Sequence, residues 1–328
     1  MGAHVVRKLV ERGDCVTVLV RPTSNTSLLD GLPVKTIAGD ITDFESLLSP
    51  LEGMEEVYHV AADYRLWARD PGEIYRNNVD GTRNVLEAAL RHRVRKVIHT
   101  STVGCLGLSR GGGNADENTR VSRDELVGNY KKSKFDAERL ALEYAANGLD
   151  VVIVNPSTPV GPGDIKPTPT GKMILDFLNG KMVGYVDTGL NLIAVEDAAA
   201  GHLLAAEKGK TGERYILGNR NMSLREILEA LARTANRKPP SLRIPHCLAL
   251  CAAIVDTVKS RTLGREPDIP IEGVLMSRKK MYYSSAKAVN ELGLPQSSVE
   301  DALARAARWF EEKGYVERRG RRPGTAGR

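Results

Sequence analysis

Cysteine is scarce in this chain, with four residues in 328: Cys15, Cys105, Cys247 and Cys251. Cys247 and Cys251 stand four apart but lack a second Cys/His pair at ligand spacing, which excludes a zinc site built on them. No His/Asp/Glu cluster has metal spacing either, so no metal is expected. So few thiols fit a reduced, cytoplasmic protein, and no signal-peptide pattern opens the sequence. Cys15 and Cys105 lie in apolar strand-like or post-strand settings and read as small core residues. Long apolar runs are missing as well. None approaches ~18 residues, so no integral membrane segment is expected. The apolar to amphipathic stretch 245–258 reads as core packing rather than as a surface that rests on a membrane. Acidic residues are in slight deficit, and the formal net charge is +6. Residues 316–328 hold five arginines and one glutamate, so they supply +4 of that surplus. No aromatic residue interleaves with them. The end from 317 to 328 therefore reads as a disordered, solvated tail, and nucleic acid is not expected as a partner.

What remains is an ordinary globular composition, 41% hydrophobic and 27% charged, long enough for one large domain or two fused ones. The first half alternates strand and helix signals. Short β-branched runs stand at 15–20, 34–38, 56–60, 96–100 and 151–155, nearly all apolar, as strands buried on both faces should be. Helical patterns lie between them at 3–12, 74–91 and 130–146, the last ended by Asn147-Gly148. This alternation predicts an α/β fold: a Rossmann-type, doubly wound parallel sheet. The second half is mixed. A Pro- and Gly-rich loop runs from 156 to 170. A helix follows 195–197, a short strand 213–217, a helix capped by Ser223 with Glu226 in a capping box, and a last helix over 299–313. The predicted division is a dinucleotide-binding domain over 1–158, with 184–210 returning to it. A smaller mixed α/β substrate domain takes 159–183 and 211–316.

A dinucleotide fold begins with a strand and a Gly-rich turn that presents the pyrophosphate to a helix N-terminus. Neither is present. Gly2 occupies the place of the last glycine of such a turn, and the helix 3–12, Gly13 and the strand 15–20 follow as its α and second β. Roughly a dozen residues of strand and turn are expected to be absent, through a late start or a truncation.

One spacing carries chemistry. Tyr130 and Lys134 are four apart and share a helix face, 28 residues past Thr102. An ammonium beside a phenol lowers its pKa, and such a phenol moves protons to or from a substrate oxygen near neutral pH. Lys131 and Lys132 point elsewhere and read as solvated.

Seven motifs then fall in series: Val18-Leu19-Val20-Arg21-Pro22, Gly39-Asp40-Ile41, His59-Val60-Ala61-Ala62, Asn78-Val79-Asp80-Gly81-Thr82-Arg83-Asn84, Thr100-Ser101-Thr102, Tyr130-x-x-x-Lys134 and Asn155-Pro156-Ser157. With them, from Gly2 to about Tyr315, the chain resembles the extended short-chain dehydrogenase/reductases. Within that group it is similar to the hopanoid-associated sugar epimerases and the dihydroflavonol-4-reductase-like enzymes. The resemblance implies that Thr102 hydrogen-bonds the reacting oxygen, with Ser101 as the fallback. It makes Tyr130 the general acid or base, and gives Lys134 the nicotinamide ribose hydroxyls as well as the phenol. It sets Asp40 and the Ile41 backbone against the adenine edge, and Pro156 and Ser157 at the nicotinamide end. Ala61 and Ala62 are small enough to let backbone approach the cofactor. Asn78 either orders the active site or caps its helix. Arg21, at the end of the second strand, leans towards NADP over NAD, because an arginine accommodates a 2′-phosphate where an acid binds the 2′-hydroxyl. Asp197 reads as a helix cap rather than a catalyst, and His59 and His99 as satisfied core histidines.

The expected function is an NAD(P)-dependent oxidoreductase transferring hydride at a carbonyl or secondary alcohol of a small-molecule substrate. The alternatives are a sugar epimerase that recycles its cofactor, and a dinucleotide-binding protein that is non-catalytic or inactive through truncation. Thr102 is followed by Val103 and Gly104 with no carboxylate, which argues against dehydration. The loop 162–170 offers one cation, Lys166, with Lys172 beyond, which argues against a diphosphate and for a smaller or more apolar substrate. Homodimers are common in the family, through the helices at 74–91 and 130–146.

Overall fold

The computed structural model describes residues 1–109, 111–263 and 265–317. The arginine-rich end from 318 onward, to which the expected disordered tail belongs, lies outside the described residues.

Chain order begins with α1 (Gly2–Arg12), β1 (Val16–Val20), β2 (Val34–Ala38), α2 (Glu45–Leu51), β3 (Glu56–His59), α3 (Pro71–Tyr75), α4 (Gly81–Arg91), β4 (Lys96–Thr100), α5 (Asn129–Ala146) and β5 (Val151–Pro156). It continues with β6 (Thr158–Val160), α6 (Pro169–Leu178), β7 (Gly189–Ala194), α7 (Val195–Lys208), β8 (Arg214–Leu217), β9 (Arg220–Ser223), α8 (Leu224–Thr234), α9 (His246–Leu263), α10 (Ile271–Met276) and α11 (Val299–Glu312).

The strands of the first half form because their β-branched side chains fit a pleated, buried surface. β4 and β5 are buried along their whole length. They run parallel at the centre of a four-stranded sheet, in the order β3-β4-β5-β8. Val85, Leu86, Ala88 and Ala89 of α4, with Leu140 and Ala141 of α5, cover one face. Ala198, Ala205 and Ala206 of α7 cover the other. β1 and β2 pair parallel with each other and with no other strand among the described residues. Their residues are half-buried to exposed, so these two depart from the expectation of strands buried on both faces. β1-β2 and β3-β4-β5-β8 are thus two separate sheets among the described residues.

The second sheet, β6-β7-β9, gathers short strands from the second half and packs with α6, α8 and α11 around Phe177, Leu192, Ile227, Leu231 and Phe310. β6 and the start of α6 fall inside the stretch expected to be loop, because Pro169 suits the first turn of a helix and Thr168 caps it by accepting the Gly171 N–H. β8 joins β5 in the main sheet, whereas β7 joins the second. The Ser223–Glu226 capping box is formed.

Two core assignments are overturned. Cys15 is exposed, as are Cys247 and Cys251, whereas Cys105 is buried. The stretch 245–258 forms most of α9, and one side of that helix faces solvent rather than the core: Leu248, Val255 and Val258 are each 60% or more exposed. Among the described residues no helix is long and apolar enough to cross a membrane.

Candidate active site

Parallel strands deliver their carboxyl ends to one crevice, and that crevice is where a doubly wound sheet binds ligands. Here it is a cleft of about 1620 Å³. Gly2, Arg21, Asp40, Ile41, Ala61, Ala62, Ser101, Thr102, Tyr130, Lys134, Pro156 and Ser157 all line it. Asn78 does not; it lies one layer behind.

α5 carries the Tyr–Lys pair. Gly128 precedes it at φ +87, a conformation that favours glycine, and a Cβ there would collide with the Glu272 carboxylate of α10. The turn therefore sets Tyr130 in the first turn of α5 while α10 packs against it. Tyr130, Lys134 and Glu138 follow at steps of four residues, one face of the helix. Lys134 is 2% exposed, and its Nζ donates to the Thr100 carbonyl at 2.7 Å. That uses one of three donors and leaves two for a ligand. Thr102 Oγ1 accepts the Gly104 N–H at 3.1 Å and lies within hydrogen-bonding reach of the Tyr130 phenol.

The electrostatics correct one expectation. Burial pushes the Tyr130 phenol up to about 12, with Cys105 adding to the rise and the Thr102 hydrogen bond opposing it. The same burial pulls the Lys134 ammonium down to about 8 against the raising influence of Cys105 and Glu138. The expected lowering of the phenol by Lys134 is therefore not what the geometry gives. Desolvation of a buried phenol outweighs an ammonium turned onto a backbone carbonyl. Lys131 is a second correction. It is half-buried rather than solvated, its Nζ meets Met281 Sδ at 3.6 Å, and burial lowers its pKa.

Behind these groups stands a polar frame in which Asn78 was expected from the sequence, whereas the roles of Asn155, Glu138 and Arg214 were not. Asn155 Nδ2 donates to the Thr102 carbonyl at 3.1 Å and to Glu138 Oε2 at 2.7 Å, and Arg214 pairs with Glu138 at 3.3 Å. The four-residue step from Lys134 to Glu138 was the available signal. Asn78 Nδ2 donates to the Asp63 carbonyl and to Ser133 Oγ, each at 2.9 Å, while its Oδ1 accepts the Asp63 N–H at 2.7 Å. Ser133 Oγ in turn donates to the Tyr130 carbonyl at 2.9 Å. Asn78 sits in a wide helical turn between α3 and α4, so it orders this region and does not cap a helix; Asp70 caps α3 instead.

The remaining predicted residues are placed as follows. Arg21 is exposed at the end of β1, and its backbone N–H donates to Ser24 Oγ. Asp40 Oδ1 accepts the backbone N–H and the hydroxyl of Thr42, each at 2.9 Å, so it closes its own turn. The Ile41 carbonyl accepts from Asn84 at 2.9 Å. Gly2 opens α1, and a Cβ there would meet nothing within 4 Å. Ser101 Oγ donates to Cys105 Sγ at 3.6 Å. His59 is satisfied by Thr82 Oγ1 at 2.9 Å and falls to about 3 through burial and the nearby Lys134. His99 is not satisfied, since both ring nitrogens are buried without a partner. His202, at about 4 through burial, bonds Thr100 Oγ1 at 3.0 Å and the Ala198 carbonyl at 2.7 Å. Asp197 caps nothing; its carboxylate accepts the Ser297 N–H and hydroxyl. Among the described residues no group of three or more His, Cys, Asp or Glu could hold a metal ion.

The donor set fits a dinucleotide. Two free donors on Lys134, the buried and unpartnered Ser157 Oγ, the small Ala61 and Ala62, the N-terminus of α1 and the Arg21 cation are spread along one cleft. A parallel sheet with a hydroxyl, a phenol and an ammonium at its strand ends defines a nicotinamide-dependent enzyme. The comparisons agree with that class. The chain belongs to the NAD dependent epimerase/dehydratase family, whose sequence profile matches residues 1–218. It is 47% identical over 321 residues to a Synechocystis sp. protein that carries the provisional name dihydroflavonol 4-reductase, covering 97% of this chain and 93% of the relative. It is 35% identical over 318 residues to sterol demethylase protein B of Methylococcus capsulatus, covering 96% and 97%. A crystal structure of the protein gox2253 matches with a TM-score of 0.86 at 44% identity, covering 96% of each chain. The chain is an NAD(P)-dependent oxidoreductase of the extended short-chain dehydrogenase/reductase type, an enzyme whose cofactor is a nicotinamide dinucleotide.

Proposed function

We propose that the chain is an NADPH-consuming reductase of a carbonyl on a small, largely apolar substrate. The convergence of Thr102, Tyr130 and Lys134 in one cleft carries this reading. When bound, the reduced nicotinamide supplies the hydride. Thr102 Oγ1 hydrogen-bonds the substrate oxygen, and the Tyr130 phenol gives it a proton. A phenol held near 12 stays protonated and available as an acid at neutral pH. Lys134 holds the nicotinamide ribose hydroxyls with its two remaining donors. Arg21 takes the 2′-phosphate, Asp40 and Ile41 the adenine edge, and the start of α1 at Gly2 the pyrophosphate. Ala61 and Ala62 let backbone approach, Ser101 and Pro156–Ser157 line the nicotinamide end, and Asn78 positions α5.

Poor provision for a diphosphate supports the apolar substrate. Lys172 is engaged by Asp176 at 2.9 Å, which leaves the loop with Lys166. The names of the two relatives point to flavonoid and sterol skeletons, which are compact and mostly hydrocarbon. The β6-β7-β9 unit with α6, α8, α10 and α11 forms the substrate side. We place the enzyme in the cytoplasm, in keeping with its four free thiols, as a homodimer through α4 and α5.

The sugar epimerase remains as a second reading because the family itself is named for that chemistry. The two differ in stoichiometry: a reductase consumes one NADPH per product, whereas an epimerase returns its cofactor unchanged. The test is a panel of ketones with NADPH and NADH, run beside nucleotide-sugar epimerisation. Stoichiometric oxidation of NADPH by an apolar ketone is the expected result. Epimerised sugar without net cofactor oxidation overturns the proposal.

A further inference from the structure

We propose that the exposed side of α9 docks on an anionic lipid surface. α9 turns a mixed side inward and a largely apolar side outward. Ala253 and Ser260 turn inward and are buried. Outward face Leu248, Ile254, Val255, Val258 and Leu263, between 47% and 68% exposed. At a helical 100° per residue, these five fall within one half of the cylinder. Five exposed apolar side chains gathered on one side of a helix, interspersed with Lys259 and Thr262, mark an interaction site rather than scattered surface hydrophobics. It does not cross a membrane; it is suited to lie in the interface plane.

Charge selects the occupant. Residues 237–280 hold nine Lys and Arg against four Asp and Glu, a net of +5. Residues 1–236 and 281–315 together sum to −3. The basic surplus of the folded body therefore falls in the segment that contains this helix. There Arg243 and Lys280 are paired with Asp187, and Arg265 with Asp256 and Asp268, and the other cations carry the excess. Lys259 is exposed on α9 itself. At the other end, His246 Nε2 bonds the Ser277 carbonyl at 3.0 Å, which brings the exposed Arg278 and Lys279 to the start of α9. Among the described residues none of these three cations makes an ion pair, so their charge is free for headgroup phosphates. Each such cation near an anionic bilayer contributes about 1 kcal/mol. A second copy of this chain is a poor occupant, because a two-fold contact through this face would set cations against cations.

The position gives the contact a use. α10 packs on α9, and its Glu272 carboxylate accepts the Asn129 N–H at the start of the helix bearing Tyr130. Gly273 of α10 faces Leu66, which lines the cleft. A bilayer under α9 would thus lie beside the substrate end, where an apolar substrate could pass from lipid without crossing water. The docking face itself does not depend on the reductase reading, and its test reads no activity.

The test is cosedimentation of the full chain with vesicles of phosphatidylcholine alone or mixed with phosphatidylglycerol. The expected result is binding to the anionic vesicles that weakens with salt, little binding to the neutral ones, and a loss of about tenfold or more in Val255→Asp/Val258→Asp. Both sites are exposed, so the variant should unfold at the wild-type temperature, which shows that the loss is local. Three results overturn the proposal. One is no binding by the wild type at low salt. Another is equal binding by the variant, which assigns the contact to the arginine-rich end at 316–328. The third is a dimer, seen by sedimentation velocity, that the variant dissolves while vesicles are ignored.

Discussion

Lys134 and Tyr130 feel the same burial in opposite senses of charge, and activity inherits both. Burial favours the neutral form of each group. The phenol keeps its proton up to about 12, while the ammonium gives up its proton near 8. Reduction requires both protons, one for the substrate oxygen and one for the cofactor's ribose. The rate therefore holds below about 8 and falls as pH rises through that value, long before the phenol ionises. In Lys134→Met the residual rate should show no such alkaline limb in kcat/KM against pH; an unchanged limb assigns it elsewhere. The Tyr–Lys spacing was legible in the sequence because helix geometry alone puts i and i+4 on one face. The direction of the pKa shifts was not. It depends on the burial that segments distant in sequence impose on both groups, against which Cys105 and Glu138 raise the ammonium and Thr102 lowers the phenol.

Elements place these residues through polar ties between distant segments. Asn78 joins the 61–63 turn to α5 with three hydrogen bonds, and it is 2% exposed. Asn78→Ala leaves the Asp63 N–H without its acceptor, at a cost of about 1–3 kcal/mol in denaturant unfolding. Turnover should fall as well, since Ser133 and the start of α5 lose their anchor. A variant within about 0.5 kcal/mol of wild type would reduce Asn78 to an ordinary surface-like site. The sequence predicts one helix over 74–91, yet the run divides at a wide turn over Arg76–Asp80. Periodicity could not show the division, because the turn keeps the helical course while shifting the face that Asn78 presents.

On the scale of the molecule, the strands and long helices of the first half were readable, and in the second half α7, α8, α11 and β8 were, whereas the short strands of the second sheet were not. The strand and helix runs of the first half are each continuous in sequence, so the pattern is local, although β1 leads straight into β2 without a helix. β6, β7 and β9 are three to six residues long, and each pairs with a strand about thirty residues away, as Thr158 does with Leu192 and Gly189 with Ser223. Nothing in Thr158–Val160 alone announces a strand. α9 misled because apolar composition says that a surface is covered and not by what. The separation of β1-β2 from β3-β4-β5-β8 has the same character: the strands were legible, the cleft that runs between the two sheets was not. The central claim is that a phenol, an ammonium and an alcohol act together on a substrate oxygen beside the nicotinamide. Single-turnover oxidation of NADPH by Tyr130→Phe, with NADPH affinity measured in parallel, tests it most directly. The account predicts unchanged NADPH affinity and a rate lower by about 10²–10⁴-fold. A rate equal to that of the wild type would contradict it.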